Sequence, residues 1–138
     1  MTKISTLLIA ASAMLAAAPA MAATPIAGKW ITAEKDSIIE IAPCGTNMCG
    51  KISKFLTPVQ GPPFDRNNPD AKLKNRPLLG LPILLALKDG GKQWEGNIYD
   101  PKKGKTYKSK AFVNANGTLT VKGCVAFFCQ SFVWTAAK

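Results

Sequence analysis

The chain has 138 residues with 18 Lys and Arg against 8 Asp and Glu, a net charge of +10, four cysteines and no histidine. Without histidine, Ser-His-Asp and Cys-His nucleophilic catalysis, His-ligated catalytic zinc and an imidazole pH switch are all excluded. Carboxylates, Lys and Tyr are the chemistry left to an enzyme, and the length suits one domain with a modest core.

The N-terminus reads as a secretory signal. Lys3 supplies a positive start, Ile4 to Ala18 a mostly apolar stretch and Ala20-Met21-Ala22 a small-x-small cleavage motif, which places the cut after Ala22. The apolar stretch is shorter than the roughly 20 residues a membrane span needs and is followed by Pro19, so a transmembrane anchor is not expected. No cysteine stands at the cut, so no lipid anchor is expected either. The segments are therefore a signal peptide over 1–22 and a single domain over 23–138, located in a bacterial periplasm or secreted beyond it. Lys3 is the only charged residue removed, so the mature chain keeps a net charge of +9. Such a charge favours an anionic envelope component as partner, or simply keeps the protein soluble. Nucleic acid is a poor candidate, because export separates the chain from it and Arg66 and Arg76 are the only arginines.

From Gly28 onward, β-prone runs alternate with turn signals. The runs are 28–32, 37–42, 48–55, 82–88, 93–99, 106–114, 118–125 and 129–135. Turns are marked by Gly45-Thr46-Asn47, Asp89-Gly90-Gly91, Asp100-Pro101-Lys102-Lys103-Gly104 and Asn114-Ala115-Asn116-Gly117. Strict alternation sets Trp94, Gly96 and Ile98 against Glu95, Asn97 and Tyr99, and Leu119, Val121 and Gly123 against Thr118, Thr120 and Lys122. A meander of about eight strands buries its inner face by closing on itself. The expected fold is all-β: a small up-and-down, lipocalin-like antiparallel barrel, with a Greek-key β-sandwich as the alternative.

The exception is Leu56 to Leu81, rich in Pro, Asn and Asp and too long for a hairpin loop. Within it, Asn68-Pro69-Asp70 is a helix start and Arg76-Pro77 a stop, predicting one short helix over about 69–75. Such a connection serves as a binding or lid element, or as a plug on the barrel.

The cysteines fall as Cys44-x4-Cys49 and Cys124-x4-Cys129, each pair bracketing a turn. In an exported chain the local pairings 44–49 and 124–129 are the cheapest geometrically, with a tetrathiolate zinc site as the alternative. The redox spacing C-x-x-C is absent. The second pair encloses Val125-Ala126-Phe127-Phe128, expected to be buried because two adjacent Phe are seldom left in water.

Gly28-Lys29-Trp30, Cys44-Gly45-x-x-Met48-Cys49-Gly50-Lys51-Ile52, Asp65-x-x-Asn68-Pro69-Asp70-x-x-Leu73-Lys74-x-Arg76-Pro77-Leu78-x-Gly80 and Trp94-x-Gly96-x-Ile98-Tyr99-Asp100-Pro101-x-x-Gly104-Lys105-Thr106-Tyr107 stand in order, with Gly123-Cys124 and Trp134 closing the series. In these motifs the chain resembles the bacterial DUF2147 family over nearly all of its mature length. The resemblance implies a small exported β-barrel and carries no activity, and the chain departs from the family pattern at Ala136, where a basic residue is usual.

Asp65, Asn67, Asn68 and Asp70 cluster oxygen ligands, yet Asp70 and Arg76 stand where a calcium loop needs Gly and Glu. Loop and helix capping is the reading for them, and no metal site or cofactor is expected. No spacing singles out a catalytic pair among Glu34, Glu40, Asp65, Glu95 and Asp100. Asp65, Asn68, Arg76, Trp94, Tyr99, Asp100 and Tyr107 combine aromatic rings with charges near the long loop, the lining expected of a small-ligand pocket. Plain packing of the three Trp residues and pairing of Arg76 with an acid is the competing reading. The expected function is a non-enzymatic binding or envelope-associated module for a small amphipathic or anionic ligand. A carboxylate-dependent hydrolase of an envelope polymer and a structural or stress-protective protein are the alternatives.

Overall fold

A computed structural model describes residues 9–16 and 22–138. Lys3, much of the apolar stretch and the Ala20-Met21 part of the cleavage motif lie outside them. Among the described residues, no helix is long and apolar enough to cross a membrane.

The eight strands are β1 (Gly28–Ile31), β2 (Ser37–Cys44), β3 (Asn47–Phe55), β4 (Pro82–Asp89), β5 (Trp94–Asp100), β6 (Lys105–Val113), β7 (Leu119–Val125) and β8 (Phe128–Ala136). Each pairs antiparallel with the next, and β8 returns to β1 through Trp30↔Ala136 and Ile31↔Thr135, closing the barrel. Closure removes both sheet edges, and with them the sandwich alternative. The alternating residues on the inner face form the core: Trp30, Ile39, Ile41, Ile52, Leu84, Leu87, Ala111, Val121 and Trp134 are all buried. Each fully buried Leu or Ile contributes about 1.5–3 kcal/mol relative to exposure. At Gly96 a Cβ would lie 2.7 Å from the Leu85 carbonyl oxygen and 2.8 Å from that of Ala86. Only glycine lets β5 approach the irregular stretch of β4 between Leu85 and Lys88 so closely.

The strand order gives the barrel two poles. One holds the start of β1, the 44–49 and 89–94 turns and the 113–119 turn; the other holds the 31–37 turn, the 56–81 connection, the 100–105 turn and the 125–128 tip. The first pole is closed by residues 23–27, where Ile26 is fully buried. There the Trp30 indole donates to the Ile26 carbonyl at 2.9 Å, the Trp94 indole to the Thr24 carbonyl at 2.8 Å, and the Ala23 backbone N–H to Asp89 Oδ1 at 2.9 Å. Trp94 is thus only partly buried, serving as an anchor for this strap, whereas Trp30 and Trp134 belong to the core.

The local expectations fare differently. Both disulfides form as spaced, Cys44–Cys49 and Cys124–Cys129, which consumes the thiolates a zinc site would need. Cys124 and Cys129 face each other in register, whereas Cys44 faces Asn47 and bridges diagonally. The short helix expected over about 69–75 is there as one 3₁₀ turn, Ala71–Leu73, with Asp70 as its cap. Asn68 accepts from the Asp70 N–H at 2.8 Å while its amide turns away to Asp65, so it shapes the bend before the cap instead of starting a helix. Burial of the 125–128 tip is overturned. Phe127 is 100% and Phe128 83% exposed, because the tip is a two-residue turn beyond the last pair that β7 makes with β6, Lys108↔Cys124.

Candidate functional site

The long connection 56–81 folds back over the outer face of β5 and β6. Tyr99 alternates with the inward Ile98, so it points out of the wall beside its register partner Thr106, and the connection lays Asp65 over it. Asp65 is 0% exposed. Its carboxylate accepts from the Tyr99 hydroxyl at 2.6 Å, the Asn68 amide at 2.8 Å and Arg76 Nη2 at 2.8 Å. Burial alone would raise its pKa, but those donors and the guanidinium charge outweigh burial and hold it below the usual carboxylate value. Burial and the neighbouring carboxylate push Tyr99 up to about 12. A carboxylate that is fully buried under three donors and a phenol that keeps its proton are poorly placed to exchange protons with a substrate at neutral pH.

This network fastens the connection to the wall. The Asn67 amide donates to the carbonyls of Pro101 and Lys102 at 3.1 and 3.0 Å. Gly104, at φ +64, leaves room for the Asn67 carbonyl, which a Cβ would meet at 1.8 Å. A shallow hollow of about 520 Å³ beside the network is lined by Asn68, Leu73, Arg76, Leu85, Tyr99 and Thr106.

The structure therefore brings together Asp65, Asn68, Arg76 and Tyr99, but as a fastening on the outside of the barrel and not as the lining of its mouth. Asp100 sits in the adjoining turn, accepting from the Lys102 N–H at 2.9 Å. Trp94 lies at the opposite pole. Tyr107 faces inward near the open pole. The seven do not line one pocket, because alternation sends Tyr99 and Tyr107 to opposite faces of the wall.

A second constellation faces the barrel interior. Across four strands the register aligns Gly96, Ser109, Gly123 and Gln130. Ser109 lies between exposed Lys108 and Lys110 and shares its face with buried Ala111, so it points inward. It is 2% exposed, and its hydroxyl has no hydrogen-bond partner among the described residues. Toward the open pole the same face passes through half-buried Tyr107 and Gly123 to exposed Gln130, so solvent reaches inward-facing positions there. Another hollow of about 520 Å³, between the start of β6 and the β7–β8 tip, is lined by Lys105, Tyr107, Lys108, Cys124, Val125 and Ala126. Sequence reasoning found Tyr107 but missed Ser109, although a small polar residue between two lysines and on the face of Ala111 is a legible inward position.

A family model described as an uncharacterized protein conserved in bacteria, DUF2147, matches residues 28–136, from the first residue of β1 to the last of β8. The chain belongs to the DUF2147 family. The solved structure of protein HP1028 from Helicobacter pylori, described as belonging to the lipocalin family, is similar over 83% of this chain and 84% of that one. Its TM-score is 0.74 at 24% identity, a likeness in fold. No curated protein matches the chain. For this DUF2147 chain the matched region contains both the Asp65 fastening and the Ser109 row, and it begins just after the strap at 23–27.

Proposed function

We propose that this DUF2147 protein is an exported, non-enzymatic binding module that admits a small amphipathic molecule through the mouth at Tyr107, Gly123 and Gln130. The observation that carries this reading is the Ser109 hydroxyl, buried on the inner face of a closed barrel with no protein partner. A hydroxyl left in that condition costs about 1–3 kcal/mol, which a polar group on a ligand can recover. Beside it in register stands Gly123, where a Cβ would meet Ile98 at 3.7 Å and Tyr107 at 3.9 Å, so these two side chains wall the row at ordinary contact distance. Apolar walls with one or two fixed polar groups suit a ligand with a short apolar body and a polar head. Two disulfides and the small-x-small motif Ala20-Met21-Ala22 support export to an oxidising compartment.

The test is native mass spectrometry of the purified protein together with thermal shifts against medium-chain fatty acids and lysolipids. A retained species, or a stabilising amphiphile whose affinity falls about 3- to 10-fold in Ser109→Ala and is abolished by Gly123→Trp, supports the reading. An empty protein that no amphiphile stabilises overturns it.

A further inference from the structure

We propose that the Cys124–Cys129 hairpin tip is a docking element for an anionic lipid bilayer. The turn consists of Ala126 and Phe127 between the register partners Val125 and Phe128. It presents Phe127 wholly to solvent, with Phe128 and Val125 also exposed. Folding thus leaves two adjacent aromatic rings in water on a convex projection, which apolar burial disfavours unless something else covers them. The disulfide closes the second rung behind the turn, and Ala126 holds a left-handed φ of 52°, so the tip is fixed in shape.

Charge selects the partner. Lys105 and Lys108 line the same hollow as Val125 and Ala126. Among the described residues, ion pairs engage only Arg76 and Lys102, so both lysines lack a carboxylate partner. Aromatic rings at the tip and free ammonium groups one step behind them match the layering of a bilayer with anionic headgroups. Leu56 and Leu79, at the two ends of the 56–81 connection, are exposed at the same end of the barrel, whereas the opposite end is closed by the 23–27 strap. A molecule resting on this pole presents its mouth to the membrane surface. The docking claim does not depend on what the barrel binds.

The experiment is co-sedimentation of the purified protein with large vesicles of phosphatidylcholine alone or mixed equally with phosphatidylglycerol. A Phe127→Trp variant reports insertion by a blue shift of its emission. Expected are binding to the anionic vesicles only, steep weakening between low and high salt, and a blue shift on binding. Phe127→Ser with Phe128→Ser, and separately Lys105→Glu with Lys108→Glu, should each reduce binding at least about 10-fold while the thermal melts stay unchanged, since all four side chains are exposed. The proposal fails if anionic vesicles are not bound, if the Phe variant binds like the parent, or if binding resists salt. It also fails if the parent self-associates and the Phe variant is monomeric, which would make the tip an interface between copies of the chain.

Discussion

At the scale of single residues, the tightest chemistry in the molecule is structural. Asp65, Tyr99, Asn68 and Arg76 satisfy one another under the connection, and their titration makes that visible. Asp65 is held below its ordinary pKa, so its contribution is present above about pH 4 and is lost as pH falls through the depressed value. Tyr99 is raised from 10.0 to about 12, so its contribution is whole below pH 10 and is lost across that interval. Tyr99→Phe removes the 2.6 Å donor to a buried carboxylate and should cost about 1–3 kcal/mol at pH 7. It should also move the acid midpoint to higher pH and remove part of the alkaline loss. Urea denaturation from pH 3 to 12 measures all three, and an unchanged alkaline limb in the variant would contradict the coupling.

At the scale of elements, much was legible. Each of the eight strands stands within a few residues of its expected place, because period-2 alternation and Gly or Asn turns are local signals. The differences, a helix of one turn where up to two were expected and an exposed tip, share a cause. The 69–75 segment carries a cap and a stop, but Asn68 was drawn off by Asp65, a partner that the fold supplies and the local sequence does not. The 125–128 tip looks like core by composition, yet whether a hairpin tip is covered depends on how far its strands outrun their neighbours. β7 stays in register with β6 only to Lys108↔Cys124, so the tip parts from β6 there and a hollow, not a packed contact, separates it from Lys105 to Tyr107. The docking of the connection is likewise a long-range fact, resting on the Asn67 carbonyl lying against Gly104. Gly104→Ala introduces both a left-handed alanine and a backbone clash, and should destabilise by more than about 1 kcal/mol. Hydrogen exchange should then accelerate in residues 56–81 while β1 and β2 stay protected. Uniform protection equal to the parent would mean that the connection is not held at this point.

At the scale of the whole molecule, the absence of histidine has a measurable consequence. Asp36, Asp65 and Asp89 are shifted down, Lys102 and Tyr99 up, and so no shifted side chain titrates between about pH 5 and 9. Stability over that range should be flat unless a new group is created. Cleavage after Ala22 would create one. The Ala23 nitrogen donates to Asp89 Oδ1 at 2.9 Å, and the Gly91 N–H donates to the same oxygen at 2.8 Å. Freed as an α-ammonium, Ala23 would convert its hydrogen bond into an ion pair at the closed pole, tying down the strap that covers Ile26. An ammonium with an ordinary pKa of about 7.7–8.0 gives that stabilisation below this pH and loses it above. Protein beginning at Ala23 should therefore be less stable at pH 9.5 than at pH 6, whereas Asp89→Asn should lose the difference and a form extended N-terminally by several residues should never show it. Intact mass establishes where each preparation begins, and chemical denaturation at the two pH values reads the effect. If the form starting at Ala23 has a flat profile, the strap is held without its terminal charge, and the placement of the cut gains nothing from Asp89.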